Sequence, residues 1–193
     1  MVRGRQKGQG AFCTWRAEST TESDFVSVYA THCLSKAKAA GFAPPPDILQ
    51  SAMRNLQVMA ARQPRDLADA RTIAYAIYVL TREGVITTNY ILNLRDYLDK
   101  QFEKQWPQDL TGVYLAGAWS MLQKDDEANR LIAAYHIGQH DTAERTDFYQ
   151  PLGADAQYLA IVARNFPSRL TSVSPRDFQA VLQPICAGAL DTI

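Results

Sequence analysis

The sequence has no excess charge of either sign and no membrane-length apolar run. Twenty basic residues balance twenty acidic ones in 193 residues, so no electrostatic reason exists to expect nucleic acid or an anionic membrane as a partner. No apolar stretch approaches the roughly 18 residues of a membrane-spanning helix. The N-terminal Arg3, Arg5 and Lys7 are basic, but the apolar stretch of a secretory signal does not follow them. We interpret them as a solvated end.

Cysteine is scarce as well. Cys13, Cys33 and Cys186 are too few and too far apart for a disulfide framework, and no Cys-x-x-Cys occurs. Cys33 and Cys186 lie in apolar helical contexts, which predicts small core residues. Cys13 lies in an N-terminal loop and is the thiol we expect to be most accessible, although no base neighbours it in the sequence. No serine-hydrolase elbow, phosphate loop or dinucleotide fingerprint is present, so we predict no catalytic residue, metal or cofactor.

What the sequence does contain is helical periodicity. The stretch 69–84, DARTIAYAIYVLTREG, has apolar residues at the spacing of an amphipathic helix with one buried face. Its central pattern recurs at intervals of roughly 40 residues, about the length of one helix–turn–helix repeat. The recurring segments are Tyr29-Ala30-x3-Leu34, Tyr75-Ala76-x3-Leu80, Tyr114-Leu115-x3-Trp119 and Tyr158-Leu159-x3-Ala163.

The periodicity predicts an all-α fold of about four helical hairpins. We expect one domain, with a loop or frayed lead-in at 1–20 and hairpins over 21–190, in two layers of inner and outer helices forming a partial α/α toroid. The first helix of each hairpin is expected inside. Pro184 predicts a kink or break in the last helix. The predicted helices are residues 23–40, 47–62, 66–83, 87–104, 110–123, 125–137, 154–166 and 175–190.

Two polar clusters are candidate sites. His136 and His140, with Asp141 and Glu144 following, have the spacing of metal ligands one helical turn apart. Gly138 lies between the histidines at a predicted helix end, so we interpret them as solvated or capping side chains. The acidic run 125–127 is interpreted as a helix cap that complements the helix dipole, with the acid cluster of a terpene-cyclase-like enzyme as the alternative.

The repeated tyrosines allow two interpretations. Tyr29, Tyr75, Tyr114 and Tyr158 could line a central cavity, whereas aromatic residues repeated along helices more often belong to the core. Cavity lining would suit an enzyme acting on isoprenoids, and core packing would suit a structural domain.

A more specific signal begins at Gln6. The pattern Gln6-x3-Gly10-x-Phe12-x2-Trp15, followed by the helical segments 22–41, 46–56 and 71–83, resembles the thioester-containing α/α toroid of bacterial alpha-2-macroglobulins. The similarity covers about residues 6–185. By that resemblance the chain is part of a larger multidomain periplasmic protein, often anchored to the inner membrane. In such proteins a protease cleaves a bait region and is captured through a thioester formed within a Cys-Leu-Glu-Gln motif.

The chain departs from that family pattern at its cysteines. None of the three is followed by x-Glu-Gln, and in the family the motif precedes the segment that matches Gln6–Trp15. The resemblance therefore implies a structural role without thioester residues and without enzymatic activity, with other domains of the parent protein, and proteases through the parent, as partners. The alternatives are a helical-repeat interaction module with a concave groove and, less favoured, an α/α-barrel enzyme with acids at the mouth of a deep pocket.

Overall fold

The protein is all-α where the computed structural model describes it, at residues 6–13, 23–138, 151–171 and 173–190. The predicted fold class is confirmed. In these residues the β structure consists of isolated bridge positions, with one bridge joining Gln6 and Phe12, and none of the helices is both long and apolar enough to cross a bilayer. The helices are α1 Asp24–Ala39, α2 Pro46–Ala61, α3 Leu67–Arg82, α4 Thr88–Gln101, α5 Leu110–Met121, α6 Asp125–Ile132, α7 Pro151–Asn165, α8 Pro167–Leu170 and α9 Pro175–Leu190.

Local signals set several helix ends. The side chain of Ser23 accepts a hydrogen bond from the Val26 amide and caps α1, and Asp66 caps α3 in the same way through the Asp69 amide. Gly41 and Gly84 have φ values of 87° and 86°, the left-handed conformation expected after α1 and α3. The helix α9 runs through Pro184, so the predicted break there does not occur.

Helix α6 is shorter than predicted, and the cause is a tertiary contact. It ends at Ile132 instead of 137, because the residues that follow turn towards α7. The Tyr135 hydroxyl donates to Asp155 Oδ1 at 2.9 Å, and the Gly138 amide donates to Asp155 Oδ2 at 3.1 Å. The short helix α8 and a 3₁₀ turn at Trp106–Gln108 were also missing from the sequence prediction.

The first helices of successive hairpins pack directly against one another. Helix α1 contacts α3, α3 contacts α5, and α5 contacts α7, while α2, α4 and α6 each pack beside the first helix of their own hairpin. The first helices therefore form one contiguous layer, which we call the inner layer. The one-sided stripe predicted for α3 is wrong, since residues 73–80 are all buried. This helix is enclosed because α1, α2, α4 and α5 all pack on it.

The N-terminal segment 6–13 is packed, which corrects the predicted frayed lead-in. Phe12 packs with Ile48 and Ala52 of α2, and its amide donates to Ser27 Oγ at 2.9 Å. Gln6 Nε2 donates to the Ile48 carbonyl at 3.0 Å. Gly10 has φ 88°, and a Cβ there would overlap the carbonyl of Ser51 in α2, so this close approach requires glycine.

Two of the cysteine predictions are wrong. Cys13 belongs to this packed segment and is 1% exposed, so it is not an accessible thiol. Cys33, predicted as a core residue, is exposed. Helix α1 instead buries Ser27, Thr31 and Ser35 beside Val28. Thr31 Oγ1 satisfies its hydrogen bond within the helix by donating to the Ser27 carbonyl at 2.7 Å, whereas Ser35 Oγ donates to Glu83 Oε1 at 2.6 Å. The side chain of Cys186 lies outside the described part of the chain.

Gly117 of α5 lies directly against side chains of both α3 and α7. A Cβ built on it would lie 2.8 Å from Cε2 of the buried Tyr78 ring and 3.2 Å from Cγ2 of Ile161. Contacts this short require the ring or a helix to move. The absence of a side chain at Gly117 therefore permits close packing of α3, α5 and α7.

We expect Gly117→Ala to lower the free energy of unfolding by about 1–3 kcal/mol, because overpacking outweighs the gain in helix propensity. Gly153→Ala is the matched control: Gly153 also lies in a helix, but a Cβ there meets nothing within 4 Å. This control should be neutral or stabilising by up to about 1 kcal/mol. Urea unfolding of both variants measures the difference, and equal stability would contradict the close approach.

Candidate functional site

A pocket of about 310 Å³ opens between the four first helices. Helices α1, α3, α5 and α7 all contribute side chains, so segments far apart in sequence form it. We call it the tyrosine pocket. Its lining residues are Tyr29, His32, Cys33, Lys36, Tyr75, Tyr78, Arg82, Tyr114, Gln157, Ala160, Ile161 and Arg164.

Three of the four repeated tyrosines line this pocket. Tyr75 and Tyr114 are buried and stack with ring centroids 4.6 Å apart, so they serve both as core and as pocket wall. Tyr29 is 54% exposed at the rim. Tyr158, in the segment that matches the repeat least well, does not line the pocket. Its ring stacks on Tyr135 with the centroids 4.7 Å apart. Tyr75 and Tyr114 therefore fit both sequence interpretations, because they pack in the core and also line a cavity.

The hydrogen bonds of His32 fix its tautomer. Arg82 Nη1 lies 3.3 Å from His32 Nε2, and His32 Nδ1 lies 2.7 Å from the Tyr75 hydroxyl oxygen. Arginine only donates, so Nε2 accepts and the proton of a neutral ring is on Nδ1. Nδ1–H then donates to the Tyr75 oxygen, which leaves the Tyr75 hydroxyl hydrogen available to another acceptor.

His32 is held neutral by its surroundings. Burial is the main cause that lowers its pKa from 6.5 to about 3, and the positive charges of Lys36, Arg82 and Arg164 lower it further. Burial also raises the pKa of the Tyr75 and Tyr114 hydroxyls. At neutral pH both phenols therefore keep their protons and can act as hydrogen-bond donors.

The charge of the pocket comes from Lys36, Arg82 and Arg164, and no acidic side chain is among its lining residues. Within the described part of the chain, none of these three cations forms an ion pair with a carboxylate. Hydroxyl donors and guanidinium groups facing one cavity are an arrangement that favours an anion over a cation.

The low pKa of His32 predicts a stability loss in acid. Its pKa in the unfolded chain is near 6.5 and in the folded chain about 3, so below pH 6.5 only the unfolded state takes up this proton. Stability should fall as the pH drops from 6.5 towards 3, by at most about 1.4 kcal/mol per pH unit, and should not depend on His32 above 6.5. His32→Gln should show a shallower fall in urea titrations across this range. If the free energy of unfolding depended on pH identically in both proteins, the lowered pKa of His32 would be contradicted.

The sequence-predicted polar clusters lie elsewhere. His136 is exposed beyond α6, while His140, Asp141 and Glu144 fall outside the described residues. Across the described ranges no group of three potential metal ligands comes together. Of the N-terminal basic residues, Arg3 and Arg5 are also outside the described chain.

The acidic run 125–127 forms the first turn of α6, as predicted for a dipole complement, but the predicted cap is wrong: the N-cap residue is Lys124, and no side chain caps this helix. Glu127 pairs with Arg130 at 3.0 Å and lies 3.8 Å from Arg95. None of the three acids lines the tyrosine pocket. This pocket therefore lacks the acids that the enzyme alternative places at the pocket mouth.

Sequence reasoning missed His32, Arg82 and Arg164. A partial signal existed on α1, where Tyr29, His32 and Lys36 share one helical face at spacings of three and four residues. Nothing in the sequence indicates that the ends of α3 and α7 bring two arginines to this face. That convergence follows from the packing of the inner layer.

The fold and the pocket define a class of protein, an all-α assembly of helical hairpins with an enclosed inner layer. No protein-family profile matches the chain. It is 37% identical over 177 residues to the alpha-2-macroglobulin of Rickettsia conorii, covering 92% of this chain and 9% of that protein. It is 36% identical over 180 residues to the alpha-2-macroglobulin homolog of Yersinia pestis, covering 91% of this chain and 9% of that protein.

Solved structures agree on the fold. The crystal structure of Salmonella alpha-2-macroglobulin reacted with methylamine superposes with a TM-score of 0.72 at 17% identity, over 98% of this chain and 12% of that one. Escherichia coli alpha-2-macroglobulin activated by porcine elastase gives 0.73 at 17% identity, over 98% of this chain and 17% of that one. The chain is a relative of the bacterial alpha-2-macroglobulins and spans about a tenth of their length.

Proposed function

We propose that this chain forms the structural helical part of a thioester-type domain in a larger, protease-trapping protein. Its similarity to curated alpha-2-macroglobulins over 92% of its residues carries the proposal. Two related proteins were studied after reaction with methylamine and after activation by porcine elastase. An amine and a protease are the reactants expected for a thioester-dependent trap. A periplasmic location of the parent protein remains a prediction from the family resemblance.

A supporting role suits the internal construction of the chain. Arg71 donates two hydrogen bonds to Asp109 and ties α3 to the start of α5, and Asp69 accepts hydrogen bonds from Arg62 and Arg65 at the start of α3. These contacts brace the inner layer at one end. Since no cysteine is followed by x-Glu-Gln, the role proposed for these residues is to hold shape and not to bond covalently to a protease.

The test is covalent labelling of the chain on its own. After incubation with methylamine or porcine elastase, we expect intact-protein mass spectrometry to show no amine incorporation and no chain–elastase adduct. Stoichiometric incorporation of either reactant would contradict the structural role. Sequencing the natural gene upstream of Met1 complements this test: a Cys-x-Glu-Gln there supports covalent capture by the parent, and homologous helices without it support non-covalent trapping.

One observation favours the interaction-module alternative as a second function. That alternative expects a concave site lined by successive hairpins, and the tyrosine pocket draws residues from four first helices. Ligand binding at this pocket is compatible with a structural role in the parent protein.

A further inference from the structure

We propose that the tyrosine pocket is a binding site for a small organic carboxylate with an aromatic or branched aliphatic body. This inference does not depend on protease trapping. It rests on the unbalanced positive charge of the pocket, on a tyrosine hydroxyl whose hydrogen is not used in its bond to His32, and on the size and character of the pocket walls.

The first argument is charge. Arg82 and Arg164 reach the pocket from the ends of α3 and α7, and Lys36 reaches it from α1. A binding site for a cation would need acids here, and the lining contains none. The neutral state of His32 lets its Nε2 accept from Arg82, so the guanidinium is oriented and still has donors left for a ligand. A carboxylate matches the planar donor pattern of arginine.

The second argument is the hydroxyl of Tyr75. Its oxygen accepts the proton of His32 Nδ1 at 2.7 Å, so its own hydrogen is not used in that bond. Because Tyr75 lines the pocket, this O–H is available to a ligand acceptor. The Tyr75 O–H therefore adds a neutral donor to the charged donors of Arg82 and Arg164, which line the same pocket.

The third argument is shape. The pocket volume of about 310 Å³ is at the small end for ligand sites and suits one compact molecule. Tyr78, Tyr114, Ala160 and Ile161 form much of its wall. Such walls would bury an apolar body, which inorganic phosphate or sulfate lacks. The ligand chemistry is therefore a carboxylate head on an apolar group.

The experiment is isothermal titration of the full chain at pH 7 with 3-phenylpropionate and 4-methylpentanoate. The neutral amide of each acid is the matched ligand control. We expect at least one acid to bind at least about tenfold more tightly than its amide, because only the acid forms charge-assisted hydrogen bonds. Arg82→Met should weaken binding of that acid about tenfold. Arg164→Met should weaken it less, since Arg164 is exposed and screened by solvent.

Arg54→Met is the matched protein control. Arg54 is an exposed residue of α2 outside the pocket, and its removal lowers the net charge equally. This variant should bind the acid as the unaltered chain does. If circular dichroism shows that Arg82→Met does not fold, Arg164→Met and the comparison of acid with amide still test the proposed carboxylate site. Equal affinity for acid and amide, equal weakening by Arg54→Met and Arg164→Met, or no binding of either acid up to about 10 mM would overturn the proposal.

Discussion

Replacing Tyr75 with alanine is expected to lower the free energy of unfolding by about 3–5 kcal/mol, the range for buried aromatic residues. Tyr75 is 4% exposed, and its ring stacks on Tyr114 and meets the His32 ring edge-on at a centroid distance of 5.5 Å. The alanine leaves a cavity between α1, α3 and α5 and removes the acceptor of the His32 Nδ1 proton. Urea unfolding monitored by circular dichroism measures the loss.

Two variants serve as controls for this prediction. Tyr29→Ala removes the tyrosine at the same repeat position in the preceding hairpin, but Tyr29 is 54% exposed, so we expect a change within about 0.5 kcal/mol. Tyr75→Phe keeps the ring and should cost about 1 kcal/mol for the lost hydrogen bond. If Tyr75→Ala were as mild as Tyr29→Ala, the assignment of Tyr75 to the centre of the inner layer would be wrong.

The second large effect is expected from Asp109→Ala, which should cost about 3–4 kcal/mol. Asp109 accepts from Arg71 Nε at 2.9 Å and from Nη2 at 2.6 Å, with both side chains about nine-tenths buried. Its Oδ1 also accepts from the Thr111 amide at 2.8 Å and caps α5. One substitution therefore removes a helix cap and the bidentate link between α3 and α5.

The matched control for this prediction is Asp96→Ala. Asp96 is an exposed residue of α4 with the same side chain, and its loss should change stability by no more than about 0.5 kcal/mol. Chemical denaturation of both variants gives the comparison. Equal stabilities of Asp109→Ala and Asp96→Ala would mean that the link from Arg71 contributes nothing to the packing of α3 on α5.

Helix positions could be predicted because their signals are local. Ser23 and Asp66, the first residues of two predicted helices, cap α1 and α3, and Gly84 has the left-handed conformation expected after α3. Periodicity also identified the inner helices, since the repeated tyrosine segments follow the chain at hairpin intervals. The sequence prediction made α6 too long, because the chain turns after Ile132 to contact Asp155, which lies on a different hairpin.

Burial and the pocket could not be predicted in the same way. Glycines around the N-terminal segment suggested a loose loop, yet Gly10 is needed for close approach to Ser51, and Phe12 is buried against α2. Helix α1 buries small hydroxyl side chains that a hydrophobicity pattern ranks as surface residues. The pocket requires side chains from four helices to meet, and Arg164 is more than a hundred residues from His32.

The central claim is tested most directly in the parent protein encoded by the natural gene. Porcine elastase is added, and gel filtration shows whether elastase elutes with the parent. We predict that it does so with the unaltered parent and with Asp96→Ala, and that Asp109→Ala, which loosens the inner layer, reduces the co-eluting fraction. Elastase that elutes apart from the unaltered parent, or co-elution unaffected by a destabilising Asp109→Ala, would contradict a supporting role of this chain in protease trapping.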